Sequence, residues 1–168
     1  DIDLAINRFK FSELFLFQLK SYLVKEKLSK KIALPVPGKI SEIKKFIASL
    51  PYTLTPDQKK SAWEIIKDMQ EKIPMSRLLQ GDVGSGKTIV ALLVAFNCIK
   101  NKKQVAFMAP TEVLAKQHYN TALKIFSSFN FKVALLTSKS KLSNFPLEKN
   151  KTKQIEQITK EADIVFGT

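Results

Sequence analysis

Apolar residues recur at spacings of three and four positions along the first part of the chain. In residues 9–31 they are Phe11, Leu14, Phe15, Leu19, Tyr22 and Leu23. This spacing places them on one side of an α-helix. Leu16 and Phe17 widen that side, so we expect the helix to pack against more than one other element.

A proline-rich stretch follows this helix. Residues 32–40 include Pro35, Pro37 and Gly38, which cannot continue a helix, and we predict an extended connector there. A short helix is predicted over residues 41–49.

The next helix has a strong start signal. Thr55 can cap it, Pro56 fits its first position, and Gln58 can complete a capping box. One face is lined by apolar side chains, and Pro74 is expected to end the helix. The apolar residues of that face are Ala62, Ile66, Met69 and Ile73.

Strand and helix patterns alternate along the rest of the chain. The predicted strands are residues 77–80, 104–108, 131–137 and 163–166, the predicted helices are residues 87–99, 111–126 and 151–161, and residues 138–150 are a polar loop. Alternation at this spacing requires right-handed crossovers and a parallel sheet with helices on its faces. We therefore predict an α/β fold with an N-terminal helical extension.

Composition narrows the class of protein. No apolar run reaches the roughly 18 residues that cross a bilayer, and the N-terminus lacks the features of a secretory signal. The single cysteine, Cys98, excludes a disulfide framework within the chain. We expect a reduced, cytoplasmic setting and no membrane partner.

The charge is strongly positive, at +13. Lysines are concentrated in residues 20–45 and 132–160, whereas arginine occurs only at Arg8 and Arg77. Such a balance suggests a polyanionic partner, because neutralising phosphates releases condensed counterions. A lysine-rich proteome that uses lysine on every surface is the alternative explanation.

One segment carries a specific chemistry. Residues 81–88, GDVGSGKT, match the pattern G-x-x-x-x-G-K-[ST] between a predicted strand and a predicted helix. Backbone N–H groups of such a loop can surround phosphate oxygens, Lys87 can reach the β- and γ-phosphates, and the Thr88 hydroxyl can bind Mg²⁺. The predicted ATP-binding residues are Gly81, Asp82, Val83, Gly84, Ser85, Gly86, Lys87 and Thr88, with Lys87 and Thr88 also predicted as catalytic and Thr88 as the metal ligand.

The glycine distribution supports this prediction. Three of the five glycines of the chain fall in these eight residues. A chance match, or a turn that uses glycine only to bend, explains that concentration poorly. The segment therefore predicts a P-loop that binds a nucleoside triphosphate with magnesium.

Other candidate residues have two interpretations at this point. Gln58 can contact an adenine edge or only complete the capping box. Thr111 and Glu112 can hold a nucleic-acid phosphate at a helix N-terminus or simply cap that helix. Gly167 and Thr168 can be a further strand-end phosphate contact or a turn.

The remaining conspicuous side chains are predicted to be structural. His118 falls on or near the apolar face of its helix, and Trp63 and the numerous phenylalanines are expected in the core rather than as platforms for stacked bases.

With these residues identified, the chain resembles the superfamily-2 helicases, and most closely the RecG branch-migrating DNA helicases. Residues 79–88 look like motif I of that family, residues 104–118 like motif Ia, and residues 163–168 like the segment that leads into motif Ib. Leu54 and Thr55 with Gln58 are similar to its glutamine motif. Residues 8–19 are similar to the helix that joins the wedge domain to the motor.

The resemblance implies an ATP-driven motor with a RecA-like fold that acts on branched DNA in repair and recombination. It implies that Gln58 and the P-loop hold ATP with Mg²⁺, and that Thr111, Glu112, Gly167 and Thr168 track a DNA backbone. Residues 1–50 would be a helical connector and residues 51–168 the N-terminal part of the ATP-binding domain. The motor of the transcription-repair coupling translocase shares Gly-Asp-Val-Gly, but Ser85 and the N-terminal helix favour RecG.

The sequence also departs from the family pattern. No Asp-Glu-x-x box occurs in the 168 residues, nor does a second motor domain with its arginine finger. We therefore expect an incomplete RecA-like domain that binds nucleotide without turning it over by itself. Two other function classes stay open: a non-catalytic, basic nucleic-acid-binding protein and a P-loop kinase, although no arginines for a kinase lid are apparent.

Overall fold

The structure, a computed structural model, describes residues 2–168 and all of their side chains except those at positions 28, 29 and 151. In chain order the elements are α1 (Ile2–Ser29), α2 (Ile40–Ala48), α3 (Pro56–Asp68), α4 (Lys87–Lys100), β1 (Val105–Met108), α5 (Glu112–Ile125), β2 (Val133–Leu136), β3 (Lys141–Ser143), α6 (Lys151–Glu161) and β4 (Ile164–Gly167). Among the helices of this described part, none combines the length and apolar composition that crossing a membrane requires.

The sheet has the strand order β1-β4-β2-β3. β4 pairs in parallel with both β1 and β2. Parallel neighbours that are distant in sequence require crossover helices, and α5 and α6 provide them. The predicted α/β class, a mostly parallel sheet flanked by helices, is confirmed.

β3 was not predicted. It lies in the stretch interpreted as a polar loop and pairs antiparallel with β2. Leu142 is the only apolar residue in Lys141–Ser143, so the segment has no strand periodicity of its own. The strand is formed by tertiary contacts, which include a hydrogen bond from the Val133 N–H to the Asn144 side chain at 2.8 Å.

The core is built around α4. This helix is apolar on nearly all sides, and Leu92, Leu93 and Phe96 are at most 1% exposed. α2 and α3 pack on one side of it, and the sheet with α5 encloses the other. On the opposite face of the sheet, Ile158 of α6 packs against Ala134 of β2. Helices therefore cover both faces.

Phenylalanine side chains occupy the centre of this core, as predicted. Phe46 of α2 stacks on Phe96 with ring centroids 4.5 Å apart. Phe126, Phe129 and Phe131 surround this pair. Because Phe46 is fully buried, α2 is packed into the same core as α4. The domain boundary at residue 50 stays a prediction.

The predicted strand at residues 77–80 is wrong. The segment is not assigned to a strand, because none of the four strands in the described chain pairs with it. A strand requires a neighbour that takes its backbone hydrogen bonds. Side-chain contacts hold the segment instead: Arg77 donates to Asp68 and Glu64 of α3 at 2.5–3.0 Å.

α3 ends earlier than predicted. Its last residue is Asp68, with Met69 as C-cap, although the apolar face was expected to continue to Ile73. Beyond this point the backbone carbonyls accept hydrogen bonds from the proline-rich connector instead. Val36 N–H donates to Met69 O, and Ala33 N–H donates to Lys72 O. Ile73 is 51% exposed.

α1 forms as predicted and is longer, but it does not pack as predicted. Its described side chains are all exposed, including Phe9, Phe11, Phe15 and Phe17. The prediction that this apolar face packs against several elements, and that the phenylalanines as a group lie in the core, is wrong for α1.

Candidate phosphate-binding site

The glycines of residues 81–88 adopt backbone angles that other residues avoid. Gly84 has φ +83° and Gly86 φ +84°, in the left-handed region where a Cβ is unfavourable. Gly86 is also the N-cap of α4. The chain therefore turns sharply from the segment after α3 into a buried helix, which is the geometry of a P-loop.

Lys87 lies at the mouth of this loop. Its ammonium group donates hydrogen bonds to the carbonyls of Gly81 at 2.6 Å and Asp82 at 2.7 Å. The Ser85 N–H donates to the same Asp82 carbonyl at 3.1 Å. These bonds hold the positive charge beside the loop backbone.

Backbone N–H groups are left without a protein acceptor at the start of α4. Among the described residues, nothing accepts from the N–H of Gly86, Lys87 or Thr88, whereas the N–H groups of Ile89 and Val90 bond to Gly86 O. Unpaired N–H groups and the helix dipole make a helix N-terminus attractive to anions. The helix that carries the Lys87 and Thr88 N–H groups is packed in the core.

Gln58 connects α3 to the loop. Its side-chain oxygen accepts from the Thr55 N–H at 2.9 Å, and the Thr55 hydroxyl accepts from the Gln58 N–H at 3.2 Å, so the predicted capping box is present. Its side-chain nitrogen also donates to the Ser85 carbonyl at 2.9 Å. Sequence reasoning missed this second contact, because it joins residues 27 positions apart.

One cavity of about 440 Å³ lies between α3 and the loop, and its lining does not include Gly84, Gly86 or Thr88. Its walls include Gln58 on one side and Gly81, Asp82, Ser85 and Lys87 on the other. Val83 points away, since it is fully exposed at the tip of the loop. The cavity is of a size that small-molecule ligands use.

The second group of predicted residues lies at the carboxyl end of the sheet. Met108 of β1 is paired with Gly167 of β4, and the Ala109 N–H donates to the Gly167 carbonyl. Thr111 caps α5, because its hydroxyl accepts from the Leu114 N–H at 3.3 Å. The ends of β1 and β4 are therefore adjacent, and they bring Thr111 and the Gly167–Thr168 pair to the same edge.

Glu112 is engaged by a loop that the sequence did not single out. Its carboxylate accepts from the Ser138 hydroxyl at 2.9 Å and from the Lys139 N–H at 3.2 Å. The Ser138 hydrogen bond is the largest cause that lowers the pKa of Glu112 below its usual value. The loop after β2 thus joins the edge formed by β1 and β4. The Thr-Ser-Lys-Ser run at residues 137–140 was the only available signal for this loop.

Three other residues have structural surroundings. The His118 ring packs against Phe107 at an interplanar angle of 47°, with centroids 5.1 Å apart, which fits its predicted structural role. Cys98 is buried, and burial raises the pKa of its thiol. Trp63 is 49% exposed, so the prediction that it belongs to the core is wrong.

No preformed metal cluster accompanies the loop. Within the described side chains, no group of three or more histidine, cysteine or acidic residues could hold an ion. Mg²⁺ commonly binds through one or two protein ligands together with substrate phosphates.

The fold and the loop together define the class of P-loop α/β proteins. The defining features are a glycine-rich loop, a buried helix that starts with Lys-Thr, and a mostly parallel sheet. Residues 55–168 match the family described as DEAD/DEAH box helicase. That match covers more than half of the chain, so the chain belongs to the DEAD/DEAH box helicase family.

Individual relatives agree with this assignment and confirm the resemblance to RecG. The chain is 45% identical to ATP-dependent DNA helicase RecG of Aquifex aeolicus (strain VF5) over 135 residues, which are 80% of this chain and 17% of that one. It is 41% identical over 169 residues to the protein of the same name from Thermotoga maritima, covering 99% of this chain and 21% of that one. The predicted enzyme family, ATP-dependent DNA helicases, is confirmed as the family of these relatives.

Solved structures show the same fold. A structure of RecG bound to a three-way DNA junction superposes with a TM-score of 0.80 and 37% identity, covering 94% of this chain and 21% of that one. A hypothetical ATP-dependent RNA helicase from Sulfolobus tokodaii gives a TM-score of 0.52 at 21% identity, covering 77% of this chain and 34% of that one, which shows the fold alone. The chain spans about a fifth of the length of the RecG relatives.

Proposed function

We propose that these 168 residues form the ATP-binding part of a DNA helicase or translocase that acts on branched DNA in repair and recombination. The observation that carries the proposal is the glycine-rich loop at residues 81–88, in which Lys87 and unpaired N–H groups lie together at the start of a buried helix. The names of the relatives, and the junction DNA bound in one of them, support the choice of ATP and DNA as ligands.

Each residue of the loop has a proposed role. The N–H groups of Gly84, Gly86, Lys87 and Thr88 would bind phosphate oxygens, and the Ser85 N–H would join them by leaving the Asp82 carbonyl. Lys87 would exchange its bonds to the Gly81 and Asp82 carbonyls for the β- and γ-phosphates, where its charge offsets charge that develops during phosphoryl transfer. Thr88 would be a ligand of Mg²⁺. Gly81, Asp82 and Val83 would complete the nucleotide-binding loop.

Gln58 would contact the adenine base. Its two hydrogen bonds in the structure use one lone pair of the side-chain oxygen and one of the two N–H bonds. A donor and an acceptor therefore remain on the same amide. That pair is complementary to an adenine edge.

DNA would bind at the carboxyl edge of the sheet. The Thr111 hydroxyl and the backbone of Gly167 and Thr168 would contact backbone phosphates, which fix position without reading sequence. Because its carboxylate would repel phosphate, Glu112 would act through the Ser138–Lys139 loop that it holds. The +13 charge of the chain favours the association.

We expect the chain to bind ATP without being able to hydrolyse it. The 168 residues contain no Asp-Glu pair to hold Mg²⁺ and orient the attacking water, and no candidate arginine finger. We propose that the chain binds MgATP and does not hydrolyse it alone. A cytoplasmic location stays a prediction.

Thermal unfolding tests nucleotide binding. Ligand at ten times its dissociation constant stabilises a protein by about 1.4 kcal/mol, which raises the midpoint of a domain of this size by about 3–5 °C. MgATP is expected to produce such a shift, and Lys87→Ala is expected to abolish it. No shift in the wild-type chain would contradict nucleotide binding, and an equal shift in both chains would contradict the role of Lys87.

Steady-state ATPase assays with and without forked DNA test the lack of turnover. We expect no hydrolysis above background in either condition. Hydrolysis that DNA stimulates, and that Lys87→Ala removes, would contradict this part of the proposal.

A further inference from the structure

A groove of about 330 Å³ lies between α2 and α3, which both pack on α4. Each of the two helices contributes one line of side chains with the spacing i, i+3, i+4 and i+7, which is one face of a helix. We propose that this α2–α3 groove binds a short, acidic, amphipathic helix of another protein. The two lines are Ile40, Ile43, Lys44 and Ile47 on α2, and Lys59, Ala62, Trp63 and Ile66 on α3.

The wall of the groove is apolar, and part of it is open to solvent. Trp63 is 49% exposed and Ile40 is 41% exposed, whereas Ile43 and Ile66 are buried. Covering a tryptophan removes a large apolar area from water, and tryptophan is enriched among the residues that dominate binding energy. The exposed half of Trp63 is therefore an anchor for the apolar side chains of a partner.

The charged groups of the groove are all cations. Lys44 on α2 and Lys59 on α3 are both exposed, and no carboxylate is part of the lining. The ion pairs among the described residues do not include these two lysines, whereas the neighbouring Lys45 is paired with Glu42. Carboxylates that border the apolar face of a partner would be attracted by both lysines, and cations would be repelled.

The dimensions of the groove fit a helical segment. α2 has nine residues, which at 1.5 Å per residue is a length of roughly 13 Å, or between two and three helical turns. A third helix with apolar side chains three and four positions apart would pack along both lines at once, as an amphipathic helix does in an apolar groove.

A nucleic-acid strand fits the groove less well, although it too would be attracted by the lysines. Its bases have polar edges, and apart from the two lysines the lining consists of aliphatic and indole groups. Burying polar groups without hydrogen-bond partners costs free energy, and leucine or phenylalanine side chains have no such cost. The apolar wall with cationic borders therefore favours a peptide.

The groove is separate from the proposed nucleotide site. The cavity beside the P-loop is lined by Gln58 and Ser61 of α3, whereas the groove is lined by Lys59, Ala62 and Trp63 of the same helix. The two sets of residues lie on different faces of α3. The groove would thus accept its partner with or without bound MgATP.

The experiment titrates three designed peptides into the 168-residue chain. The first, EDLEDLLEDLEE, has the apolar spacing of the groove and borders it with carboxylates. The second, EDSEDSSEDSEE, keeps the charge and removes the apolar side chains, and the third, KKLKKLLKKLKK, keeps the apolar side chains and reverses the charge. Trp63 is the only tryptophan of the chain, so its emission reports directly on the groove.

The first peptide is expected to bind saturably and to shift the Trp63 emission to shorter wavelength, because the indole loses contact with water. The serine and lysine peptides are expected to bind at least about tenfold more weakly, since each lacks one of the two complementary features. Saturating MgATP should not displace the first peptide, because the groove and the nucleotide cavity share no lining residue.

Substitutions locate the bound peptide through the anisotropy of a labelled copy of it. Lys44→Glu and Lys59→Glu are each expected to weaken it about three- to tenfold, and Trp63→Ala at least about tenfold. Lys60→Glu is the matched control, because Lys60 has the same charge on the same helix and is outside the lining. It should change the affinity less than about twofold, as an isolated surface charge does. Unfolding midpoints establish that each variant is folded.

Four results would overturn the proposal. The first is the absence of saturable binding, and the second is equal binding of the serine peptide or an equal loss with Lys60→Glu, either of which would reduce the effect to net charge. The third is self-association of the chain that Trp63→Ala abolishes in sedimentation experiments, which would make a second copy the occupant. The fourth is forked DNA that shifts the Trp63 emission and displaces the peptide, which would make the occupant a nucleic acid.

Discussion

Asn97 is a fully buried polar residue in the middle of the apolar helix α4. Its side chain accepts from the Lys39 N–H at 3.0 Å and donates to the Pro37 carbonyl at 3.2 Å. Asn101, one turn later, donates to the same carbonyl at 2.8 Å. A residue that interrupts the apolar pattern of α4 therefore fixes the proline-rich connector to the helix that follows the P-loop.

Replacing Asn97 is expected to destabilise the fold. Asn97→Leu leaves the Lys39 N–H without its acceptor and removes one of the two donors to the Pro37 carbonyl, at a cost of about 1–3 kcal/mol. Urea unfolding measures the loss. Asn101→Ala, which removes a more exposed bond to the same carbonyl, is the control and should cost less than about 1 kcal/mol. Equal effects of the two changes would contradict the importance of the buried bond.

The surroundings of Glu42 are expected to make the unfolding free energy depend on pH. Hydrogen bonds from Lys45 and then Lys100 lower the pKa of this carboxyl below its ordinary value of 4.5. The folded state therefore favours the carboxylate, and its contribution is present above pH 4.5 and lost as the pH falls through the lowered pKa.

The prediction concerns the difference in unfolding free energy between wild type and Glu42→Gln. It should be present at pH 7 and decrease toward zero as the pH approaches 3. Chemical unfolding at both pH values measures it. Glu71→Gln is the charge-matched control, because the described residues supply no ion pair for Glu71. A difference for Glu42→Gln that does not change with pH would contradict the assignment.

At the scale of elements, β1 is an edge strand with a defined polarity. The Val105 N–H donates to Asp163 O and the Ala109 N–H to Gly167 O, both toward β4. Because N–H groups alternate in direction along a strand, those of Ala106 and Met108 point to the free edge.

Hydrogen exchange of this chain tests that polarity. The amides of Val105, Phe107 and Ala109 are expected to be protected, and those of Ala106 and Met108 are expected to exchange at least about tenfold faster, as exposed edge amides do. Equal protection at all five positions would mean that another segment pairs with this edge.

α1 is expected to be the least protected helix in the same experiment. Most helix stability in proteins comes from tertiary packing, and the described side chains of α1 are all exposed. Its amides should exchange well before those of α4, whose side chains fill the core. Protection of α1 comparable to α4 would show that its apolar face is covered in solution.

These elements also show how far the sequence predicts the structure. Capping signals placed the start of α3 correctly, because Thr55, Pro56 and Gln58 act locally. The end of α3, the pairing of β3 and the absence of a strand at residues 77–80 depend on partners distant in sequence. Local periodicity contains no information about such partners.

The same distinction applies to the candidate site. The glycine pattern predicted the P-loop because the positive φ angles of Gly84 and Gly86 restrict which residues can occupy them. The bonds from Gln58 to Ser85 and from Glu112 to the Ser138–Lys139 loop were not predictable, since each joins separate elements across the fold.

For the whole molecule, the charge of +13 predicts how DNA binding responds to salt. A protein that contacts about three phosphates loses more than about tenfold in affinity for DNA between 50 and 200 mM salt. Fluorescence anisotropy with forked DNA of two unrelated sequences measures this, and the two should bind alike. A salt-independent affinity would contradict binding to the phosphate backbone.

Lys139 provides a test of where DNA would bind. It is in the loop held by Glu112 at the carboxyl edge of the sheet, whereas Lys103 precedes β1 at the opposite edge. Lys139→Glu is therefore expected to weaken DNA binding more than threefold and to reduce the salt dependence by roughly one counterion. The charge-matched change Lys103→Glu should have the smaller effect. The reverse order would place DNA elsewhere.

The central claim is that the backbone amides and the lysine of residues 81–88 bind a polyphosphate. The most direct test is to titrate MgATP into the isotope-labelled chain and follow its amide resonances by NMR. The largest shifts are expected at Gly84, Gly86, Lys87 and Thr88, the amides of α6 should be unchanged, and Lys87→Ala should remove the response. Saturable binding of MgATP that leaves these four amides unshifted would contradict it.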